Sequence, residues 1–96
     1  MDKTQIFEFL NLNKSTLKKY GVKKIGLFGS FVTGKATAKS DIDILVEFDA
    51  GKKTFDNYMD LKFFIEDNLN RKVDLVIEKN IKQELKDEIL GSVRYA

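Results

Sequence analysis

Residues 26–48, GLFGSFVTGKATAKSDIDILVEF, join a glycine turn to the clearest β-strand pattern in the chain. From residue 41 to residue 48, apolar and polar side chains alternate with the two-residue period of a strand. One face of this strand carries Ile42, Ile44, Val46 and Phe48, and the other carries Asp41, Asp43, Leu45 and Glu47. The alternation predicts a strand with one face in the core and one acidic face.

The residues before this stretch predict an interrupted helix followed by a strand. Thr4 is a predicted N-cap, and Asn11 and Asn13 are expected to interrupt the helix that it begins. The apolar and β-branched residues in 22–28 predict a strand. Residues 29–39 are then expected to form a turn and a short helical segment.

The residues after it predict a helix, a strand and a closing helix. Thr54 is expected to cap a helix that ends at Asn70. The apolar stripe of that helix is Phe55, Tyr58, Leu61, Ile65 and Leu69. Residues 72–77 predict a strand, and residues 81–90 predict a helix with apolar positions at Ile81, Leu85 and Ile89. Together these elements predict a single α/β domain over residues 1–96, with helices packed on a small mixed β-sheet.

The charged and reactive side chains narrow the possible chemistry. The 96 residues include 17 basic and 15 acidic side chains, a formal net charge of +2, so strong generic nucleic-acid binding is not expected. Cysteine and histidine are absent, which excludes disulfides, thiolate catalysis, Ser-His-Asp chemistry and nearly every zinc site. Any metal must then be bound by oxygen. No apolar run approaches the roughly 18 residues of a membrane span, and no signal peptide is recognisable, so no membrane association and a cytoplasmic location are expected.

Three aspartates lie opposite the apolar positions of their strands and are the candidate metal ligands. Asp41 and Asp43 are two residues apart, so their side chains share a face and could bind one Mg²⁺ or Ca²⁺ at about 2.0 to 2.6 Å. Asp74, on a neighbouring strand, would complete the cluster. The simpler alternative is that all three face solvent, as most aspartates do. An EF-hand is disfavoured, because Leu45 and Val46 occupy places where that loop needs oxygen ligands and a glycine.

The segment from Gly29 to Lys35, GSFVTGK, is similar to the phosphate-binding P-loop but departs from it. Ala36 replaces the hydroxyl residue that binds Mg²⁺ in that motif. The next strand begins at Asp41, which leaves too few residues for the long helix that follows a P-loop. An ordinary glycine turn is the other alternative.

Residues 29–43 combine the glycine turn and the paired aspartates in the pattern G-S-x3-G-x5-S-D-x-D. This pattern resembles the signature of the nucleotidyltransferase superfamily that includes DNA polymerase beta. Within it the chain resembles the minimal nucleotidyltransferases, small domains encoded beside HEPN-domain ribonuclease toxins, for which they act as antitoxins. The resemblance extends through TFDNYMDL at residues 54–61 and KVDLVI at residues 72–77. It implies the DNA polymerase beta-like nucleotidyltransferase fold.

The resemblance also implies a role for each residue of the pattern. The residues implied to bind the nucleotide are Gly29, Ser30 and Ser40. The residues implied to bind two Mg²⁺ ions and to be catalytic are Asp41, Asp43 and Asp74. Of these, Asp74 would bind the metal ion nearest the attacking hydroxyl and could also accept the proton of that hydroxyl. Gly29 suits its role, because a residue without a side chain lets backbone N–H groups approach phosphate oxygens.

One position departs from the pattern of the resembled family. Many relatives have Arg before the second glycine, whereas this chain has Thr33, which removes a permanent cation. Lys35 is the candidate replacement for it. The affinity for the triphosphate is the property that this change would affect, more than the chemistry of transfer.

The implied function is Mg²⁺-dependent transfer of AMP from ATP to a hydroxyl, by resemblance a tyrosine of a cognate HEPN toxin with which the chain would form a complex. One alternative is a non-catalytic antitoxin that masks its toxin, and another is transfer to a small molecule such as an aminoglycoside. The chain leaves no residues for a separate acceptor-binding domain, which favours a protein acceptor. The chain's own Tyr20, Tyr58 and Tyr95 are predicted to pack rather than to be modified.

Overall fold

The computed structural model describes all 96 residues as five α-helices, one 3₁₀ turn (Glu78–Asn80) and four strands. The helices are α1 (Lys3–Leu12), α2 (Lys14–Lys19), α3 (Ser30–Thr33), α4 (Phe55–Leu69) and α5 (Gln83–Ser92). The strands are β1 (Val22–Phe28), β2 (Ile42–Phe48), β3 (Val73–Ile77) and β4 (Arg94–Tyr95). Every predicted helix and strand is present, and β4 is an additional strand. None of the helices has the length and apolar content to cross a membrane.

The four strands form one mixed sheet in the order β3-β2-β1-β4. Strand β1 runs antiparallel to both β2 and β4, whereas β2 and β3 are parallel and are connected through α4. Parallel neighbours need such a crossover, because both strands must start from the same edge of the sheet. The predicted α/β fold with a mixed sheet is confirmed, and the parallel pairing makes Asp43 a neighbour of Asp74.

The hydrophobic core lies on one face of this sheet and includes residues from α1 to α4. Ile42, Ile44 and Val46 of β2 are fully buried there, as their alternation predicts. They belong to one cluster with Leu61 and Ile65 of α4, which are also fully buried. Truncation of such a residue to alanine costs about 2–5 kcal/mol of stability. This packing holds β2, the strand that carries Asp43, firmly in place.

Helix α1 begins before the predicted position, because Asp2 rather than Thr4 is its N-cap. The Asp2 carboxylate accepts the N–H of Gln5 at 3.0 Å, and the Gln5 side chain accepts the N–H of Asp2 at 3.0 Å. These reciprocal bonds satisfy two otherwise free donors, which one threonine hydroxyl cannot do. The predicted interruption is confirmed, since Asn13 ends α1 and precedes α2.

Both ends of α4 are as predicted, but its apolar stripe begins later. The Thr54 hydroxyl accepts the N–H of Asn57 at 3.1 Å, and Asn70 ends the helix in the left-handed conformation at φ 53°. Leu61, Ile65 and Leu69 are buried. Phe55 is 78% exposed, so its prediction as part of the buried stripe is wrong. As the first residue of the helix, it lines an open groove beside β3 instead.

Helix α5 is displaced along the sequence and does not contribute to the core. It covers Gln83–Ser92 rather than residues 81–90, and none of its side chains is buried. The delay follows from the 3₁₀ turn, after which Ile81 is still extended at φ −68° and ψ 131°. Leu85 is 46% exposed, so the predicted apolar spacing of this helix does not mark a buried stripe.

The prediction of a single core face for β2 is wrong at Leu45, which is 1% exposed on the same face as Asp43. Leu45 is the register partner of Gly26 in β1, so the two residues share a face. A Cβ on Gly26 would lie 2.8 Å from a methyl group of Val93, which is itself buried. Val93, between α5 and β4, thus packs on the second face of the sheet, which also carries Leu45.

Candidate active site

Gly29 and Asp43 meet where β1 ends beside β2. Phe28 is the last residue of β1 and the register partner of Asp43, and Gly29 follows it directly. Gly29 has φ 73° and ψ −149°, a conformation that residues with a side chain rarely adopt. A Cβ on Gly29 would also lie 2.9 Å from the Asp43 Cγ and still closer to a carboxylate oxygen. Only glycine fits here, and the predicted phosphate-binding turn therefore contacts a predicted metal ligand.

The turn at Gly29 leads directly into α3, a helix of four residues that ends at Gly34 with φ 82°. The Gly29 carbonyl accepts the N–H groups of Val32 and Thr33 at 3.0 and 3.1 Å, which holds the turn closed. Because α3 is so short, the long helix of a P-loop is missing and the P-loop alternative is wrong. The Thr33 hydroxyl lies 3.4 Å from the Ser30 carbonyl oxygen within the same helix.

Asp43 is the central residue of the acidic cluster. It is half-buried, its register partner on β3 is Asp74, and Asp41 lies two residues before it in the exposed segment that leads into β2. Burial raises the pKa of the Asp43 carboxyl, and the negative charges of Asp74 and of Asp41 raise it further. A hydrogen bond from the Ser30 backbone partly opposes this rise. Asp43 is therefore not an independent solvated aspartate, because Asp74 and Asp41 are close enough for their charges to act on it.

The cluster has the donor chemistry of a site for a hard cation, because every candidate ligand is a carboxylate oxygen. As the side chains stand, no three acidic residues are placed so that together they could hold a metal ion. A cation beside Asp43 would offset the repulsion from Asp74 and Asp41 that raises the Asp43 pKa. The residues thus fit an oxygen-bound metal in charge and in chemistry, and the convergence of all three on metal remains a prediction.

Ser40 lies in the loop before β2, and its hydroxyl bonds within that loop. Its hydroxyl accepts the N–H of Thr37 at 2.8 Å. Its carbonyl oxygen accepts a hydrogen bond from the Arg71 guanidinium at 2.6 Å. The structure therefore places Ser40 next to Asp41 in the chain but engages its side chain in a local turn. Its predicted role in nucleotide binding stays a prediction, as does that of Lys35, whose side chain is exposed.

Tyr58 and Arg71 are two neighbours of the site that the sequence patterns did not assign to it. The Tyr58 hydroxyl donates to the Leu75 carbonyl at 2.6 Å, and burial together with the charge of Asp74 raises the pKa of Tyr58. This bond engages the hydroxyl, in line with the predicted packing role. Arg71 bonds the loop that precedes Asp41. Its only signal in the sequence is a basic residue shortly before the strand of Asp74, which does not reveal a contact 31 residues away.

A mixed sheet that sets a Gly-Ser turn against one of three aspartates is the arrangement expected of a nucleotidyltransferase of the DNA polymerase beta type. The nucleotidyltransferase domain family matches residues 10–96, and the chain belongs to this family. It is accordingly a nucleotidyltransferase.

Relatives of the chain from two organisms are protein adenylyltransferases by assignment or by name. A protein of Methanocaldococcus jannaschii assigned to the protein adenylyltransferases is 46% identical over 80 residues, which are 81% of this chain and 80% of the relative. The protein adenylyltransferase MntA of Thermococcus cleftensis is 35% identical over 92 residues, which are 95% of this chain and 92% of the relative. The similarity thus extends over most of both chains.

Solved structures with the same fold include a protein assigned to the minimal nucleotidyltransferases. It has 29% identity and a TM-score of 0.84, and the match covers 98% of this chain and 95% of that one. A toxin–antitoxin structure with AMP-PNP has 24% identity and a TM-score of 0.69, over 99% of this chain and 72% of that one. A complex of the tri-AMPylated HEPN toxin of Shewanella oneidensis with its MNT antitoxin has 23% identity and a TM-score of 0.58, over 88% and 69%. These last two are likenesses of fold.

Proposed function

We propose that residues 1–96 act as one minimal nucleotidyltransferase domain, which transfers AMP from ATP to a tyrosine hydroxyl of a partner HEPN toxin in the presence of Mg²⁺. The observation that carries the proposal is the contact between Gly29 and Asp43. This contact places the turn, which would bind the phosphates, directly beside the carboxylate, which would bind a metal ion. A triphosphate bound to one of them is then within reach of the other.

The reaction would be a displacement at the α-phosphorus of ATP. The acceptor oxygen forms a bond to this phosphorus, and the bond from phosphorus to the departing pyrophosphate breaks. A carboxylate oxygen of Asp74 accepts the proton of the attacking hydroxyl. The backbone at Gly29 and the hydroxyl of Ser30 hold the terminal phosphates. Two Mg²⁺ ions, when bound by Asp41, Asp43 and Asp74, supply positive charge for the attacking oxygen and for the leaving pyrophosphate.

A protein acceptor is favoured by the openness of the site and by the relatives. Asp41 and Asp74 are both exposed, so a tyrosine on another protein reaches them without entering a channel. The similar proteins assigned or named as adenylyltransferases act, by that name, on proteins. The toxin–antitoxin complexes of the same fold include one with an ATP analogue and one with an AMPylated HEPN toxin. These neighbours support ATP as the donor and a HEPN toxin as the partner.

The decisive experiment incubates the purified protein with a HEPN toxin and ATP labelled in the α-phosphate, with Mg²⁺ or with a chelator. We expect the toxin to be labelled only when Mg²⁺ is present. Mass spectrometry should then locate the added AMP on a tyrosine. ATP labelled in the γ-phosphate is the matched control and should leave the toxin unlabelled, because pyrophosphate leaves. A toxin that is silenced without acquiring AMP would instead support the masking alternative.

A further inference from the structure

Arg71 connects three parts of the structure that surround the acidic cluster. It lies between α4 and β3, three residues before Asp74. Its Nη2 donates to the Ser40 carbonyl at 2.6 Å and to the Thr37 carbonyl at 3.3 Å. Its guanidinium lies over the ring of Phe31 in α3, 5.3 Å from the ring centroid. A single side chain therefore links the start of β3, the loop before β2, and α3.

The second half of that loop has few other attachments to the protein. Residues 35–41 contain neither helix nor strand. At the start of the loop, two N–H groups bond back to the Ser30 carbonyl. Further on, the hydrogen bonds involving Thr37 and Ser40 run within the loop itself. These bonds shape a turn but do not attach it to the rest of the protein. Beyond the loop, the Ile42 N–H donates to the Lys72 carbonyl at 2.9 Å, and within the loop Arg71 provides the attachment.

The contact bears directly on Asp41. The carbonyl of Ser40 belongs to the peptide group that joins Ser40 to Asp41, and a peptide group is planar. A bond that fixes this oxygen therefore also fixes the direction in which the Asp41 backbone leaves the loop. Asp43 does not need such help, because β2 and the core beneath it hold that residue.

The geometry suits arginine and not lysine. The guanidinium is a flat group with several N–H donors, so it can reach two carbonyl oxygens while its face covers an aromatic ring. An ammonium group is a compact point charge that does not combine these contacts. Because the hydrogen bonds of Arg71 go to carbonyl oxygens, its charge is not paired with the aspartates through them. The cluster beside it keeps its negative charge for a cation.

We propose that Arg71 is a positioning residue for nucleotidyl transfer, which holds the loop carrying Asp41 in place relative to Asp74 and α3. This inference rests on the proposed function, in which Asp41 is a metal ligand. It assigns to Arg71 no contact with substrate or metal.

The test compares Arg71→Lys with the wild type in the full chain. Arg71→Lys keeps the positive charge but loses the planar guanidinium with its several N–H donors. The kcat for AMP transfer should therefore fall at least about tenfold, as it does when catalytic groups are misplaced. The KM for ATP should change by less than about twofold, since the phosphate turn is intact. Mn²⁺ binding, followed by electron paramagnetic resonance without nucleotide, should weaken by about tenfold. Hydrogen exchange at the amides of Ser40 and Ile42, which flank Asp41 and donate to the Thr37 and Lys72 carbonyls, should become faster.

Lys72→Ala is the matched control, because it removes a neighbouring exposed cation and leaves these contacts intact. It should keep wild-type kcat, Mn²⁺ affinity and exchange. Circular dichroism and thermal melting confirm that each variant is folded. A folded Arg71→Lys protein with wild-type kcat and Mn²⁺ affinity would overturn the inference alone, while the wild type would still be active. A wild type that neither binds Mn²⁺ nor transfers AMP would overturn the proposed function, and this inference with it.

Discussion

Asp43 and Asp74 are register partners on the parallel strands β2 and β3, so folding sets two carboxylates side by side on one face of the sheet. Like charges directly opposite one another on neighbouring strands are destabilising. The raised pKa of Asp43 reflects burial first and this repulsion second. The metal-free protein is thus less stable than its packing allows, and the destabilisation is located in the candidate site.

Asp43→Asn is expected to stabilise the metal-free protein while abolishing nucleotidyl transfer. The change removes one charge of the cluster and keeps the shape of the side chain, so the free energy of unfolding should rise by about 0.5 kcal/mol after allowance for solvent screening. For a chain of this size that corresponds to a melting temperature higher by about 2–4 °C. Asp67→Asn, an exposed change on α4, should alter neither property. A melting temperature below that of the wild type would contradict the expectation.

The raised pKa of Asp43 should also make the stability of the protein depend on pH. The folded pKa of Asp43 lies above its ordinary value of 3.8, so the folded state keeps this proton to a higher pH than the unfolded state does. The contribution of Asp43 to stability is therefore most favourable below pH 3.8 and is lost as pH rises through the folded pKa. Urea unfolding of the wild type and of Asp43→Asn from pH 4 to pH 7 measures it. The stability difference between the two proteins should grow with pH, and a constant difference would refute this origin.

Gly29→Ala should both destabilise the protein and abolish transfer. An alanine here must keep a backbone conformation that favours glycine, which costs about 1–3 kcal/mol of stability. Its methyl group also displaces the Asp43 carboxylate. Gly51→Ala separates the two effects, because Gly51 has φ 77° but open space around its Cβ position. That control should lose stability from strain and keep full activity. Activity of Gly29→Ala close to that of the wild type, in folded protein, would mean that the contact with Asp43 is not needed.

Ser30→Ala is expected to raise the KM for ATP more than Lys35→Ala does. The Ser30 hydroxyl is placed at the start of α3, next to the Asp43 contact, whereas Lys35 lies beyond the end of that helix and is exposed. Loss of one hydrogen bond to a charged phosphate weakens binding by about tenfold or more. Steady-state kinetics at varied ATP give the order of the two effects. If Lys35→Ala alone raised the KM, the cation lost at Thr33 would have its replacement in Lys35.

Asp74→Asn should separate catalysis from toxin binding. Asp74 is exposed on β3 and its side chain is not part of the core, so the substitution preserves the fold and the volume of the residue. The variant should bind the toxin with wild-type affinity in calorimetry but add no AMP to it. Toxicity in cells would then persist. Full protection of cells by this variant, with unmodified toxin, would place the function in masking.

The sequence sufficed where the decisive residues are close together in the chain. The alternation from Ile42 to Phe48 and the short spacing from Gly29 to Asp43 predicted the strand, the turn and the acidic face. The position of Asp74 on the polar face of its strand was predicted because that strand alternates in the same way. Such local periodicities are the strongest signals that a sequence carries.

Residues whose environment depends on distant parts of the chain could not be predicted in this way. Leu45 looked like a solvent-facing residue, because the face of the sheet that it shares with Gly26 is packed by Val93, which lies near the other end of the chain. Strand β4 has two residues, too few for any period to be visible. The contact of Arg71 with Ser40 spans 31 positions and depends on the parallel crossover through α4. These features arise from tertiary packing, which overrides local preference.

The burial of Leu45 has an electrical consequence for its neighbour Asp43. The two side chains lie on the same face of β2, about 7 Å apart along the strand. Leu45 is buried, whereas Asp43 is half-buried. Apolar material is weakly polarisable, so the field of the carboxylate is directed away from Leu45 and toward the solvent. Salt in the solution screens such a partly enclosed charge less than a fully exposed one. A leucine with no reactive group thereby strengthens the attraction that the aspartate exerts on a cation.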